Sequence, residues 1–93
     1  MSTKYFDQAD LDNWNAGRFK LPEGQLQTLK SVKKGEYIKR SLNTHRIYTR
    51  SDYVRGKDYL GRTINKYACD DVYDISREIY LKGSTIVWTD FGY

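Results

Sequence analysis

His45-Arg46-Ile47-Tyr48-Thr49-Arg50-Ser51-Asp52-Tyr53-Val54 alternates its side chains with a period of two. In an extended chain Arg46, Tyr48 and Arg50 share one face, and Ile47, Thr49 and Ser51 share the other. Arg55–Arg62 follows, holds Gly56 and Gly61, and reads as a hairpin loop. Thr63–Cys69 then reads as a returning strand. An antiparallel hairpin centred on the middle of the chain is the element from which the fold is read.

The same grammar extends in both directions. Upstream, Gln25–Val32 reads as a strand, Lys33-Lys34-Gly35-Glu36 as a turn, Glu36–Arg40 as a strand around Tyr37 and Ile38, and Ser41–Thr44 as a loop. Downstream, Asp70–Asp74 reads as an acidic turn or short 3₁₀ segment, Ile75–Leu81 as a strand with Ile79 and Leu81 inward, and Lys82-Gly83-Ser84 as a tight turn. Thr85–Phe91 reads as the last strand. Five to six short strands at this spacing predict an all-β or β-rich α+β fold: a small SH3-like antiparallel barrel. One domain is expected over residues 1–93, with a helical or extended segment over 1–20 and the barrel over 25–93.

The N-terminal segment has a helix signature. Asp7 is placed as N-cap, Asp10 adds negative charge to the first turn, and Gly17 is placed as the stop. Only Ala9, Leu11, Trp14 and Ala16 are apolar, so this helix needs packing, with Trp14 as its expected anchor. Tyr5, Phe6, Trp14 and Phe19 are expected to close one end of the barrel, the other reading being a docking surface for a partner protein. Leu21-Pro22-Glu23-Gly24 reads as a turn.

Composition narrows the function classes. Aromatic residues make up 15% of the 93 residues, with nine tyrosines, which argues against disorder. A single cysteine, Cys69, allows no internal disulfide, and with a single histidine, His45, it cannot build a structural zinc site or ready Cys-His catalysis. No apolar run approaches the ~18 residues of a membrane span, and residues 1–7 lack the apolar core of a signal peptide. A cytoplasmic protein without membrane contact is therefore expected. The glycine-containing turns fit neither a P-loop nor a dinucleotide pattern. Asp70, Asp71, Asp74 and Glu78 cluster, but they lack the spacing of a calcium loop and a second carboxylate cluster for two-metal chemistry. No metal, cofactor or catalytic residue is assigned, and the protein is expected not to be an enzyme.

Charge is distributed unevenly. Residues 29–66 carry eleven basic and three acidic side chains, whereas residues 67–93 carry two basic and five acidic ones. In one reading the basic strands present a positive face to a polyanion. In the other, they neutralise the acidic C-terminal strands across the sheet. On the first reading, Arg46, Arg50 and Arg55 would contact phosphates and Tyr48 and Tyr53 would stack or pack. Lys33, Lys34, Lys39, Arg40, Lys57 and Arg62 would supply diffuse electrostatics. Replacing Arg46 and Arg50 by alanine should then weaken binding without unfolding the domain.

A resemblance adds to this reading. Lys33-Lys34-Gly35-Glu36-Tyr37-Ile38-Lys39-Arg40, Tyr67–Asp71, Ser76–Gly83 and the terminal Phe91-Gly92-Tyr93 look like segments of small proteins carried by bacteriophages, plasmids and other mobile elements. It covers roughly residues 30–93 and brings no catalytic residues. It implies a single β domain that acts by binding, on nucleic acid or on a host machine such as a defence or transcription complex. The combined expectation is a small basic binding module that contacts nucleic acid, DNA or RNA, or a nucleoprotein complex. The alternative is a protein–protein inhibitor or adaptor acting on a host protein. A homodimer through an exposed edge strand is a further expectation.

Overall fold

A computed structural model describes residues 4–57, 59–74 and 76–92; the side chain of Ile64 also lies outside the description. In chain order the elements are α1 (Gln8–Asn15), β1 (Gln25–Thr28), a 3₁₀ turn (Leu29–Ser31), β2 (Tyr37–Ile38), β3 (Tyr48–Lys57), β4 (Thr63–Asp71), β5 (Glu78–Leu81) and β6 (Ile86–Thr89). The expectation of a β-rich chain with short strands and one N-terminal helix is met.

The strands form two antiparallel sheets, β1-β6 and β2-β3-β4-β5. A bridge between Lys39 and Trp88, closed by reciprocal backbone hydrogen bonds of 3.0 and 2.9 Å, joins β6 to the strand path after β2. The order is thus β1-β6-β2-β3-β4-β5, curled into a barrel-like half-shell. The β3–β4 ladder slips once: Arg50 pairs with Cys69, but Tyr53 pairs with Tyr67. The extra residue on β3 is a bulge, which bends the strand and sharpens its twist.

Two apolar clusters hold the shell together. Leu29, Val32, Ile38, Tyr48, Cys69, Leu81 and Val87 fill the interior, with Tyr67 and Ile79 packed against them. Phe6, Leu26, Ile47, Ile86, Trp88 and Phe91 form the second cluster, flanked by Leu11, Trp14, Phe19, Leu21 and Val72. β6 lies between them: Val87 enters the first cluster, Ile86 and Trp88 the second, and all four of its residues are buried. The N-terminal segment is the cover of the second cluster. Its helix starts with a capping box, in which the Asp7 carboxylate accepts from Asp10 N–H (3.0 Å) and the Asp10 carboxylate accepts from Asp7 N–H (3.1 Å). Phe6 N–H donates to the Arg40 carbonyl at 2.9 Å and ties the segment to the sheet.

Several boundaries differ from those expected. β1 ends at Thr28 because the chain turns into a 3₁₀ segment that buries Leu29 completely and lets Lys30 N–H reach the Gly83 carbonyl at 3.0 Å. The strand expected over 45–54 runs instead from Tyr48 to Lys57, so Arg55, Gly56 and Lys57 are paired β structure, not loop. β4 continues through Asp71. The last strand stops at Thr89, before Asp90, which adopts a left-handed φ of 57°. The expected strand start at Ile75 lies outside the described residues. Gly24 has a φ of +76°, and a Cβ there would run into the backbone of Thr89 and Asp90. The turn before β1 therefore packs directly on the end of β6.

Candidate nucleic-acid interface

The register of the sheet leaves one part of it standing alone. β2 meets β3 only at Thr49 and Tyr48, and β5 meets β4 only from Tyr67 to Asp70. Beyond the Tyr53–Tyr67 pair, β3 and β4 continue as a two-stranded ribbon through Val54–Lys66, Arg55–Asn65, Gly56–Ile64 and Lys57–Thr63. The turn that follows exposes Tyr59 and Leu60, and Gly61 completes it with a φ of +81°. Residues 53–67 hold four basic side chains and one acidic one, Asp58, which lies outside the described residues. Arg55 and Lys57 are exposed, Lys66 is half-buried, and none of the three has an ion-pair partner among the described residues. Arg62 is exposed near the tip.

The root of the ribbon is braced by stacked side chains. Tyr53 and Tyr67 lie ring to ring with centroids 4.8 Å apart and a 58° tilt. The Arg50 guanidinium sits over Tyr67, its Cζ 4.3 Å from the ring centroid. Tyr67 in turn packs against Gly83, where a Cβ would approach its ring to 3.2 Å. A cation over a ring face is attracted by the ring quadrupole, more strongly where water is excluded. The stack turns the bulged, bending part of β3 into a fixed base for the arm.

The expected Arg46–Tyr48–Arg50 face is not formed. Tyr48 points into the interior cluster, 4% exposed, and offers no stacking platform to a base. Arg50 is half-buried over Tyr67, and its Nε is buried without a hydrogen-bond partner among the described residues. Arg46 precedes β3 and donates from Nη1 to the buried Asp71 carboxylate at 3.2 Å. These residues hold the fold, so the Arg46→Ala and Arg50→Ala pair would strain it as well as remove charge. Lys39 is placed over Trp88 and Phe91, 5.1 and 4.7 Å from their ring centroids, and Arg40 over Tyr5 at 4.0 Å. Lys34 pairs with Asp52 at 2.6 Å, and Lys33 is exposed beside it. A cleft of about 110 Å³ brings Arg40 and Arg46 together with Tyr5, Thr44 and Tyr48.

The acidic residues gather at the other end of β4. Asp70 stands directly opposite Glu78. Partial burial, then the shared hydrogen bond and repulsion from Glu78, push the Asp70 carboxyl above its ordinary range. Tyr80 donates its hydroxyl to Glu78 at 2.5 Å, which raises the phenol in turn. Ser76 hydrogen bonds hold Asp74 below its ordinary range. Among the described residues, no three or more His, Cys, Asp or Glu side chains gather where they could hold a metal ion. Nor is any helix there long and apolar enough to cross a membrane. β4 therefore runs from a basic end at Lys66 to an acidic end at Asp70 and Asp71. Apart from the Arg46–Asp71 pair, the two charge classes are separated along the strand.

Lys66, Asn65, Tyr67, Tyr59 and Leu60 belong to the ribbon and were not singled out from the sequence. Period two alone puts Asn65 and Tyr67 on one face of β4, but their alignment with Arg55 and Tyr53 follows only from the hairpin register. The chain matches no protein-family profile, no curated protein and no solved structure.

Proposed function

We propose that the protein binds nucleic acid through the β3–β4 ribbon, with Arg55, Lys57, Arg62 and Lys66 as the phosphate-facing cations. The observation that carries this reading is the unsupported extension of two basic strands past the rest of the sheet. A two-stranded ribbon is of a size that a nucleic-acid groove admits. The separation of acid from base along β4 supports the same reading: Asp70 and Asp71 stand at the sheet end, while residues 53–67 carry four basic side chains against one acidic one, Asp58. Lys33 adds charge from the β2 turn.

The test is a titration of labelled duplex DNA, single-stranded DNA and RNA over a salt series. Each phosphate contact contributes a slope of about −0.9 in log K against log salt on B-DNA. Replacing Arg55 and Lys57 by alanine should lower the slope by about 2 and leave the thermal melt unchanged. Retention of full affinity and slope by that variant would remove the ribbon from the interface. No binding of any of the three nucleic acids at low salt would remove the function.

A further inference from the structure

We infer that the ribbon works on duplex DNA and that its tip, Tyr59-Leu60, enters the base stack from the minor groove as a wedge that bends the duplex. The inference rests on the nucleic-acid reading above and adds to it a target and an action. Four features of the arm support it together.

The first is reach. From the braced Tyr53–Tyr67 pair to Lys57–Thr63 the ribbon advances four residues per strand, about 13 Å at ~3.3 Å per residue. That exceeds the ~7.5 Å depth of a B-DNA minor groove, so the tip can arrive at the base edges while the shaft lies along the backbone. The second is the chemistry of the tip. Tyr59 is 93% exposed and Leu60 60% exposed, side by side at the far end of an arm whose shaft carries the exposed Arg55 and Lys57. Neither side chain belongs to either apolar cluster, so core packing does not account for them. An aromatic ring next to an aliphatic side chain is a shape that slides between stacked bases, and apolar wedges of this kind unstack a step and kink the duplex.

The third is charge complementarity around the wedge. Lys57 and Arg62 flank the tip, and Arg55 and Lys66 stand one step behind on the shaft. These four cations against one anion in the turn, Asp58, leave residues 53–67 net positive, which favours the phosphates that a kink brings together. The fourth is rigidity at the root. The Arg50–Tyr67–Tyr53 stack and the packing of Tyr67 on Gly83 resist the recoil that unstacking a base step imposes on the arm. Single strands have no stacked step of this kind to open, and the deep, narrow major groove and wide, shallow minor groove of an RNA duplex fit such a wedge less well. Duplex DNA is the target these features select.

The experiment uses the full chain and a duplex of about 25 base pairs carrying a donor and an acceptor dye at its ends, short enough to behave as a straight rod when free. Binding is read by anisotropy and bending by energy transfer on the same samples. Three proteins are compared: wild type, the tip variant Tyr59→Ala/Leu60→Ser, and the shaft variant Arg55→Ala/Lys57→Ala. Wild type should raise the energy transfer on binding. It should also bind a duplex with one mismatched pair about tenfold more tightly, because that step is already partly unstacked. The tip variant should bind within about threefold of wild type yet leave the duplex straight and lose the preference for the mismatch, since its phosphate contacts remain. The shaft variant should lose affinity.

Wild-type binding without a change in energy transfer overturns the wedge and leaves the nucleic-acid reading standing. So does a tip variant that bends the duplex as well as wild type. Failure of wild type to bind any nucleic acid overturns both. Circular dichroism melts of the two variants, expected to superimpose on wild type, separate these outcomes from a loss of fold.

Discussion

The Asp71 carboxylate joins three parts of the chain: Oδ2 accepts from Arg46 Nη1 at 3.2 Å, while Oδ1 accepts from the backbone N–H groups of Tyr73 at 2.9 Å and Asp74 at 3.2 Å. Its side chain is 3% exposed, against 55% for Arg46. One acidic residue thus closes the turn after β4 and anchors the chain that leads into β3.

Asp71→Ala is expected to destabilise the domain by about 2 kcal/mol, because two backbone donors and a guanidinium lose their acceptor in a buried setting. That corresponds to a fall in Tm of roughly 10 °C for a domain of this size. Arg46→Ala should cost clearly less, since its side chain is half in water and only one contact is removed. Urea unfolding of both variants measures the difference. Equal costs would mean that the ion pair, not the turn, carries the contribution of Asp71.

Gly24 and Gly17 make a matched pair. Both have φ +76°, but a Cβ at Gly17 meets nothing within 4 Å, whereas at Gly24 it would stand 2.7 Å from the Asp90 carbonyl oxygen. Gly17→Ala should cost about 1 kcal/mol, the strain of a left-handed backbone alone. Gly24→Ala should cost at least twice that, because backbone on both sides must shift. Thermal melts of the two variants give the comparison, and similar Tm values would show that the contact with β6 yields freely.

Cys69 is fully buried, and that burial, aided by the Asp70 carboxylate, pushes its thiol from 9.0 up to about 11. The native state therefore holds the thiol proton more tightly than the unfolded chain. The stability this lends is complete below pH 9.0 and declines as pH rises towards about 11. Urea midpoints across that window should fall more steeply for wild type than for Cys69→Ala. Parallel slopes would assign the alkaline loss to other groups. Alkylation of native Cys69 at neutral pH should be slow, with rapid reaction only after denaturation.

Asp70 and Glu78 face each other as like charges across β4 and β5. The raised Asp70 carboxyl means that the native state holds this proton more tightly than the unfolded chain does, so the pair stabilises least when both are ionised. Asp70→Asn should add about 0.5 kcal/mol at neutral pH, the size of one cross-strand charge pair, raising Tm by a few degrees. The gain should shrink as pH falls towards the ordinary value of 3.8, because the raised native carboxyl takes up its proton before the unfolded one does. A gain that persists in acid would point to a packing effect instead.

Much of the fold is legible in residue order because the local signals agree with it. Asp7, Asp10 and Gly17 mark the helix and occupy the cap, first turn and stop positions. Gly35 and Lys82-Gly83-Ser84 mark turns that form. The proposed binding surface is less legible. Alternation over Arg46–Ser51 signals a strand that forms only from Tyr48 onward, but not which side faces water, because Ile47 enters one cluster and Tyr48 the other. A strand with apolar cover on both faces defeats a rule that assumes one wet face. The hairpin loop read over 55–62 begins as strand at Arg55, Gly56 and Lys57, since Gly56 sits in the ladder with open space around it and does not break the pairing.

Composition, period and turn residues by themselves determined a small β-rich chain, a capped N-terminal helix and a basic middle followed by an acidic end, because these depend on neighbours within a few positions. Only the tertiary structure decided which cations are available. Arg46 and Arg50 are drawn into the fold by Asp71 and Tyr67, residues 25 and 17 positions away, while Arg55 and Lys57 are left on an arm that no third strand supports among the described residues. Pairing at that separation is set by sheet register and by a single bulge between Arg50 and Tyr53, and no local pattern in the chain encodes either.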